Sequence, residues 1–203
     1  MRLLPFLFPR YTWHKSKADK VIYLTFDDGP IPEVTEWVLD VLAQHQVKAT
    51  FFCIGDNIRK HPAVYQRILK ENHRVGNHTF HHLKGWKTTT KAYIDNVTLC
   101  QTEMAKHGVE AVTIFRPPYG KITMKQANQL LQQGYEIVMW SIITKDYEAN
   151  LRPQQCLART IKKIKPGSIL VFHDSLKAEK NMKYTLPLLL EYLKKQGYSF
   201  ATL

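Results

Sequence analysis

Val21-Ile22-Tyr23-Leu24-Thr25-Phe26-Asp27-Asp28-Gly29-Pro30 sets an apolar run directly against two adjacent carboxylates and a Gly-Pro turn. The run reads as a buried strand. Side chains alternate between the faces of a strand, so Asp27 and Asp28 cannot both be solvated by facing outward. Like charges this close raise each other's proton affinity unless a cation or hydrogen bonds separate their roles. An Asp-Gly turn with one capping aspartate would account for Asp28-Gly29 alone. Two carboxylates at a strand end ask instead for a metal, a base, or both.

Four more polar clusters each follow an apolar run. His78-Thr79-Phe80-His81-His82 comes after Arg74-Val75 and Gly76-Asn77. A helix beginning at His78 would put His78 and His82 on one face, and His81 also lies within a turn of His78, so spacing leaves the second imidazole open. A carboxylate with two imidazoles suits zinc or another late divalent metal, whereas a His-rich surface turn is the bland alternative. Phe115-Arg116-Pro117-Pro118-Tyr119-Gly120 makes a rigid bend carrying a fixed cation that can orient a carboxylate. Tyr135 to Trp140 leads through Ser141 to Asp146-Tyr147, and Ser168 to Phe172 ends in His173-Asp174.

With these clusters in place, the chain resembles the NodB-type polysaccharide deacetylases, carbohydrate esterase family 4, from about residue 20 to the end. Thr25 to Pro30 matches the first family motif; His78, Thr79 and His82 match the second, favouring His82 over His81; Arg116 to Gly120 matches the third. The fourth, Asp-x-x-Asp-Trp, is altered to Ile143-Thr144-Lys145-Asp146-Tyr147, and the fifth, Leu-x-His, to Val171-Phe172-His173. The resemblance implies an irregular (β/α) barrel of about seven strands, with Asp28, His78 and His82 holding one divalent ion. Zinc is the first candidate, with cobalt, nickel or manganese behind it. It further implies Asp27 as general base paired with Arg116, the Tyr119 N–H at the oxyanion, and His173 as general acid oriented by Asp146. Tyr147 and Val171 would line the acetyl pocket, so their departure from the family pattern bears on acyl and sugar preference.

Period and breakers independently suggest alternating elements. Strands are expected near 20–26, 48–54, 73–77, 112–116, 135–140, 168–173 and 198–202. Helices are expected near 33–45, 58–71, 90–107, 123–133, 153–164 and 185–196, the last capped by Thr185 with Pro187 in its first turn. Strict alternation argues for a parallel sheet, closed or nearly so, and active sites gather at the carboxyl ends of such strands. The 203 residues, 44% hydrophobic and 23% charged, suit one domain over 20–203, preceded by a segment over 1–19 that packs on the barrel.

Cys53, Cys100 and Cys156 form no CxxC, which argues against a disulfide framework and a structural zinc site. The apolar start, Met1 to Pro9, is interrupted by Pro5 and lacks a small-residue cleavage site, unlike a signal peptide. No transmembrane segment is expected; the sequence leaves the location open, with a cytoplasmic or peripherally membrane-associated one as the expectation from the residues alone. The excess of 29 basic over 17 acidic residues reads mostly as a solvated surface, with attraction to an anionic glycan as the sharper possibility. No recognised nucleic-acid motif accompanies the charge. The expected activity is deacetylation of an N-acetylated glycan. An O-acetyl esterase or other amide hydrolase is one alternative; a silent glycan- or polyanion-binding protein is another, and retention of both acid and base counts against it.

Overall fold

The computed structural model describes residues 4–203. Its strands are β1 (Val21–Asp27), β2 (Thr50–Cys53), β3 (Arg74–Asn77), β4 (Ile114–Phe115), β5 (Glu136–Ile137), β6 (Ile142–Ile143), β7 (Ile169–His173) and β8 (Ser199–Phe200). Its helices are α1 (Leu4–Leu7), α2 (Val34–Gln44), α3 (Gly55–Lys60), α4 (Pro62–Lys70), α5 (Thr90–Ala105), α6 (Met124–Gln132), α7 (Pro153–Ile161) and α8 (Glu179–Lys195). All pairings are parallel, in the order β5-β4-β3-β2-β1-β7-β6, with β8 beside the start of β1. The end strands β5 and β6 are joined by residues 138–141 alone. A link that short spans roughly 14 Å, so the sheet has to curl until its ends adjoin. This is the expected irregular (β/α) barrel.

The core begins on β1. Ile22, Leu24 and Phe26 are completely buried, and Phe26 stacks between Phe51 and Phe172 at 5.0 and 5.8 Å. Helices cover the outer face, α8 contributing Met182, Leu186, Leu189, Leu190 and Leu193 at helical spacing. The seam between β5 and β7 is bridged by the segment before β1. Thr12 pairs with Val138 and His14 with Ser168, while Trp13 is buried and its indole N–H donates to the Phe8 carbonyl at 3.1 Å. Residues 1–3 of the expected N-terminal segment lie outside the described residues.

Four expectations about elements need correction. No helix starts at His78: residues 78–84 form a loop, and α5 starts only after Thr89, whose hydroxyl accepts from the Ala92 N–H. The helix expected over 58–71 is two helices, because Pro62 opens a new one and restricts His61 before it. The strand expected over 135–140 stops at Ile137, since the Val138 and Met139 carbonyls accept from Arg116 instead of from a neighbouring strand. The last helix begins at Glu179, leaving Thr185 and Pro187 inside it; burial of its apolar face outweighs the hydrogen bond lost at the proline. Gly197, at φ 74°, follows the end of that helix, where a left-handed residue is wanted.

Strand register positions the site. Asp27 pairs with His173, Cys53 with Asn77, Asn77 with Phe115, and Phe115 with Ile137. His78 and Arg116 each follow a paired residue directly, so the clusters emerge on one rim.

Candidate active site

Arg116 is completely buried, which is tolerable for a guanidinium only with its donors satisfied. It donates to Asp27 Oδ1 at 2.7 Å, Thr25 Oγ1 at 2.6 Å, and the Val138 and Met139 carbonyls at 3.2 and 3.0 Å. The Phe52 ring lies 4.1 Å from its guanidinium carbon. Asp27 is thus held by one oxygen on a fixed cation at the barrel rim.

Asp28 leaves the strand with φ 87° and turns toward the histidine loop. Its Oδ1 lies 3.2 Å from His82 Nε2 and 3.7 Å from His78 Nε2, and donor atoms of all three residues fall within 4.8 Å of one another. His78 Nδ1 contacts the Arg116 carbonyl at 2.7 Å, which makes Nδ1 the protonated nitrogen and frees Nε2 as a ligand. Burial pushes the His78 imidazole down to about 4, keeping it neutral. Burial opposes ionisation of Asp28, but the His82 hydrogen bond and neighbouring imidazoles outweigh it and hold the carboxyl at about 2. A carboxylate with two imidazoles fits a divalent ion such as zinc in donor chemistry and spacing.

Asn96 separates His82 from its neighbour. Its Oδ1 accepts from the Phe80 and His81 N–H groups at 2.9 Å each, and its amide contacts His81 Nδ1 at 2.8 Å. With His81 tied back, Thr79 and His82 take left-handed φ values of 63° and 54°, and His82 swings to Asp28. The imidazoles converge through this strained loop, not along a helix.

Opposite the triad, His173 Nδ1 lies 2.8 Å from Asp146 Oδ1, and the His173 backbone N–H donates to Asp146 Oδ2 at 2.8 Å. Burial disfavours the imidazolium, but completely buried Asp146 outweighs it and raises His173 to about 9.

The polysaccharide deacetylase family model matches residues 14–138, more than half of the 203-residue chain. The chain belongs to the polysaccharide deacetylase family. It is 34% identical over 192 residues to a peptidoglycan-N-acetylglucosamine deacetylase of Bacillus cereus, covering 94% of this chain and 90% of that protein. It is 32% identical over 188 residues to a peptidoglycan-N-acetylmuramic acid deacetylase of Bacillus subtilis, covering 91% and 70%. A crystal structure of a peptidoglycan N-acetylglucosamine deacetylase with 4-naphthalen-1-yl-N-oxidanyl-benzamide matches with a TM-score of 0.93 at 31% identity, over 98% of this chain and 94% of that one.

In this member of the polysaccharide deacetylase family, one cavity of about 650 Å³ gathers Asp27, Asp28, His78, His82, Tyr119, Tyr147, Val171 and His173. Arg116 and Asp146 stand behind its wall. Tyr119, at φ 59°, lays its ring 4.6 Å from His82, and its N–H donates to no protein acceptor among the described residues. Tyr147 meets the His173 ring edge-on at 4.9 Å, with Ile143 and buried Val171 also in the wall. Ser175 and Lys177 complete the lining without having been singled out from sequence, beside Pro117 and Trp140, which lie in the quoted clusters but were given no role of their own. Asp174 was missed too: wholly buried, it accepts from the Gly29 N–H at 3.0 Å and the Thr35 hydroxyl at 2.6 Å, clamping the loop that carries Asp28. A carboxylate closing the apolar run before it was the available signal.

Proposed function

We propose that this protein is a metal-dependent hydrolase that removes N-acetyl groups from an N-acetylated glycan, peptidoglycan foremost, and releases acetate. The observation that carries the reading is one cavity holding a metal-ligand set, a carboxylate braced by a buried arginine, and an imidazole braced by a buried carboxylate. The named peptidoglycan deacetylases above support the substrate class. Asp28, His78 and His82 would hold the ion, with zinc the first choice for these donors. When bound, a divalent ion acts as a Lewis acid that acidifies water and polarises an acetyl carbonyl.

The chain's own groups do the rest. Asp27 takes the proton of the attacking water with its free oxygen, while Arg116 fixes the other oxygen in place. As water adds to the acetyl carbon, the Tyr119 N–H donates to the developing oxyanion. The C–N bond then breaks, and His173, whose Nδ1 is engaged by Asp146, gives its Nε2 proton to the departing amine. An amine leaves poorly without that proton, which is why an acid is needed opposite the base.

Acetate release from peptidoglycan, chitin oligomers and acetylated xylan, before and after chelation, tests this reading. Release from the amide substrates that stops on chelation and returns with zinc, cobalt, nickel or manganese is expected. Release from the ester alone would make the protein an O-acetyl esterase. None from metal-replete protein would leave a binding protein.

A further inference from the structure

Tyr119 at the cavity mouth and Trp86 beyond it stand 60% and 64% exposed with lysines crowding their rings. The Tyr119 ring lies beside His82 and carries Lys84 Nζ 5.7 Å from its centroid, and Lys121 Nζ lies 5.0 Å from the Trp86 centroid. His82, Tyr119, Lys84, Lys121 and Trp86 therefore run as one ledge away from the triad. Lys84 and Lys121 each stand against an aromatic face, and neither is ion-paired with a carboxylate among the described residues. Gathered ammonium groups without an acid are a standing repulsion that an anion would relieve.

The ledge is also preformed. The Gly85 N–H donates to the Lys121 carbonyl at 3.1 Å, and the Trp86 indole N–H donates to the Ile122 carbonyl at 3.0 Å. Buried Gln126 donates to the carbonyls of Gly85 and Thr88, both at 3.0 Å. A Cβ at Gly85 would lie 2.5 Å from the Lys121 carbonyl oxygen, so glycine permits the two loops to close on each other. The exposed aromatic faces are thus held in place, which lowers the ordering cost of binding.

We infer that this ledge is a subsite for a carboxylate-bearing sugar next to the sugar that loses its acetyl group, the aromatic faces taking the ring and Lys84 and Lys121 the carboxylate. The inference rests on the glycan reading above and deepens it, since neutral chitin has no group for the lysines.

Calorimetric titration separates the two. A peptide-free peptidoglycan tetrasaccharide, whose alternate sugars carry a lactyl carboxylate, and uncharged chitotetraose are titrated into metal-loaded wild type, a Lys84→Gln/Lys121→Gln double variant and Trp86→Ala. Wild type should bind the anionic oligomer more tightly, with the difference shrinking as salt rises. The double variant should lose about two- to thirty-fold in affinity for it, as expected for two exposed ion pairs, and keep its affinity for chitotetraose. Trp86→Ala should weaken both. An unchanged anionic affinity in the double variant, an equal loss for both oligomers, or no binding of the anionic oligomer to wild type would overturn the subsite. Acetate release from the same samples judges the deacetylase reading separately, since discrimination in binding does not require turnover.

Discussion

Asp27 and Asp28 adjoin in the chain, yet their surroundings separate them. Asp27 stays in register with β7 and meets Arg116 at 2.7 Å, whereas Asp28 turns out of the strand to the imidazoles. Asp27→Asn should keep stoichiometric metal by elemental analysis and lose roughly 10²–10⁴-fold in kcat, the usual worth of a general base. Asp28→Asn should lose metal affinity, with excess ion restoring part of the rate. Equal loss of metal in both, rescued in neither, would show that the two carboxylates are not divided in this way. His173 gives a second test. In the proposed mechanism it acts protonated, and its pKa is raised to about 9 against the opposing effect of burial, so kcat/KM should fall as pH rises through about 9. Removing the carboxylate with Asp146→Asn should bring that alkaline limb down toward about 6.5, the unperturbed imidazole range. A limb that stayed put would remove His173 as the titrating acid.

At the scale of elements, the site consists of loops leaving parallel strands, and each loop is pinned from behind. Asp174 pins the β1 loop, and a Cβ at Gly29 would come within 1.9 Å of its Oδ2. Gly29→Ala should therefore cost about 1–3 kcal/mol, typical of overpacking, and weaken metal binding because Asp28 is displaced with the loop. Gly134→Ala is the matched control: at φ 87° it carries backbone strain, but nothing lies within 4 Å of the added carbon. It should lower the melting temperature without changing metal affinity, and an equal effect on metal from both variants would show that the clamp is not specific. The histidine loop shows how far local pattern reaches. Spacing brought His78, His81 and His82 forward together, but the choice among them depends on Asn96, supplied by the following helix.

The whole molecule is a barrel whose seam is covered by a segment from outside the strand–helix alternation. Trp13 lies under that seam with 6% of its surface exposed. Trp13→Ala should cost about 3–5 kcal/mol in denaturant unfolding while the folded fraction keeps its metal stoichiometry. A loss below about 1 kcal/mol would mean the seam closes without it. The alternation of elements, the polar clusters at the strand ends and the paired aspartates were legible in the chain, because apolar period, turn residues and clustered ionisable groups are local signals, whereas the acid and base roles came only from the family resemblance. Which strands adjoin, which carbonyls Arg116 captures, which histidine faces Asp28, how Asp174 braces the rim and how the segment before β1 bridges the seam depended on segments distant in sequence. Those features arise when a shared register and core bring the segments together: a hydrogen bond or close packing contact is set by three-dimensional distance, and no spacing along the chain encodes it.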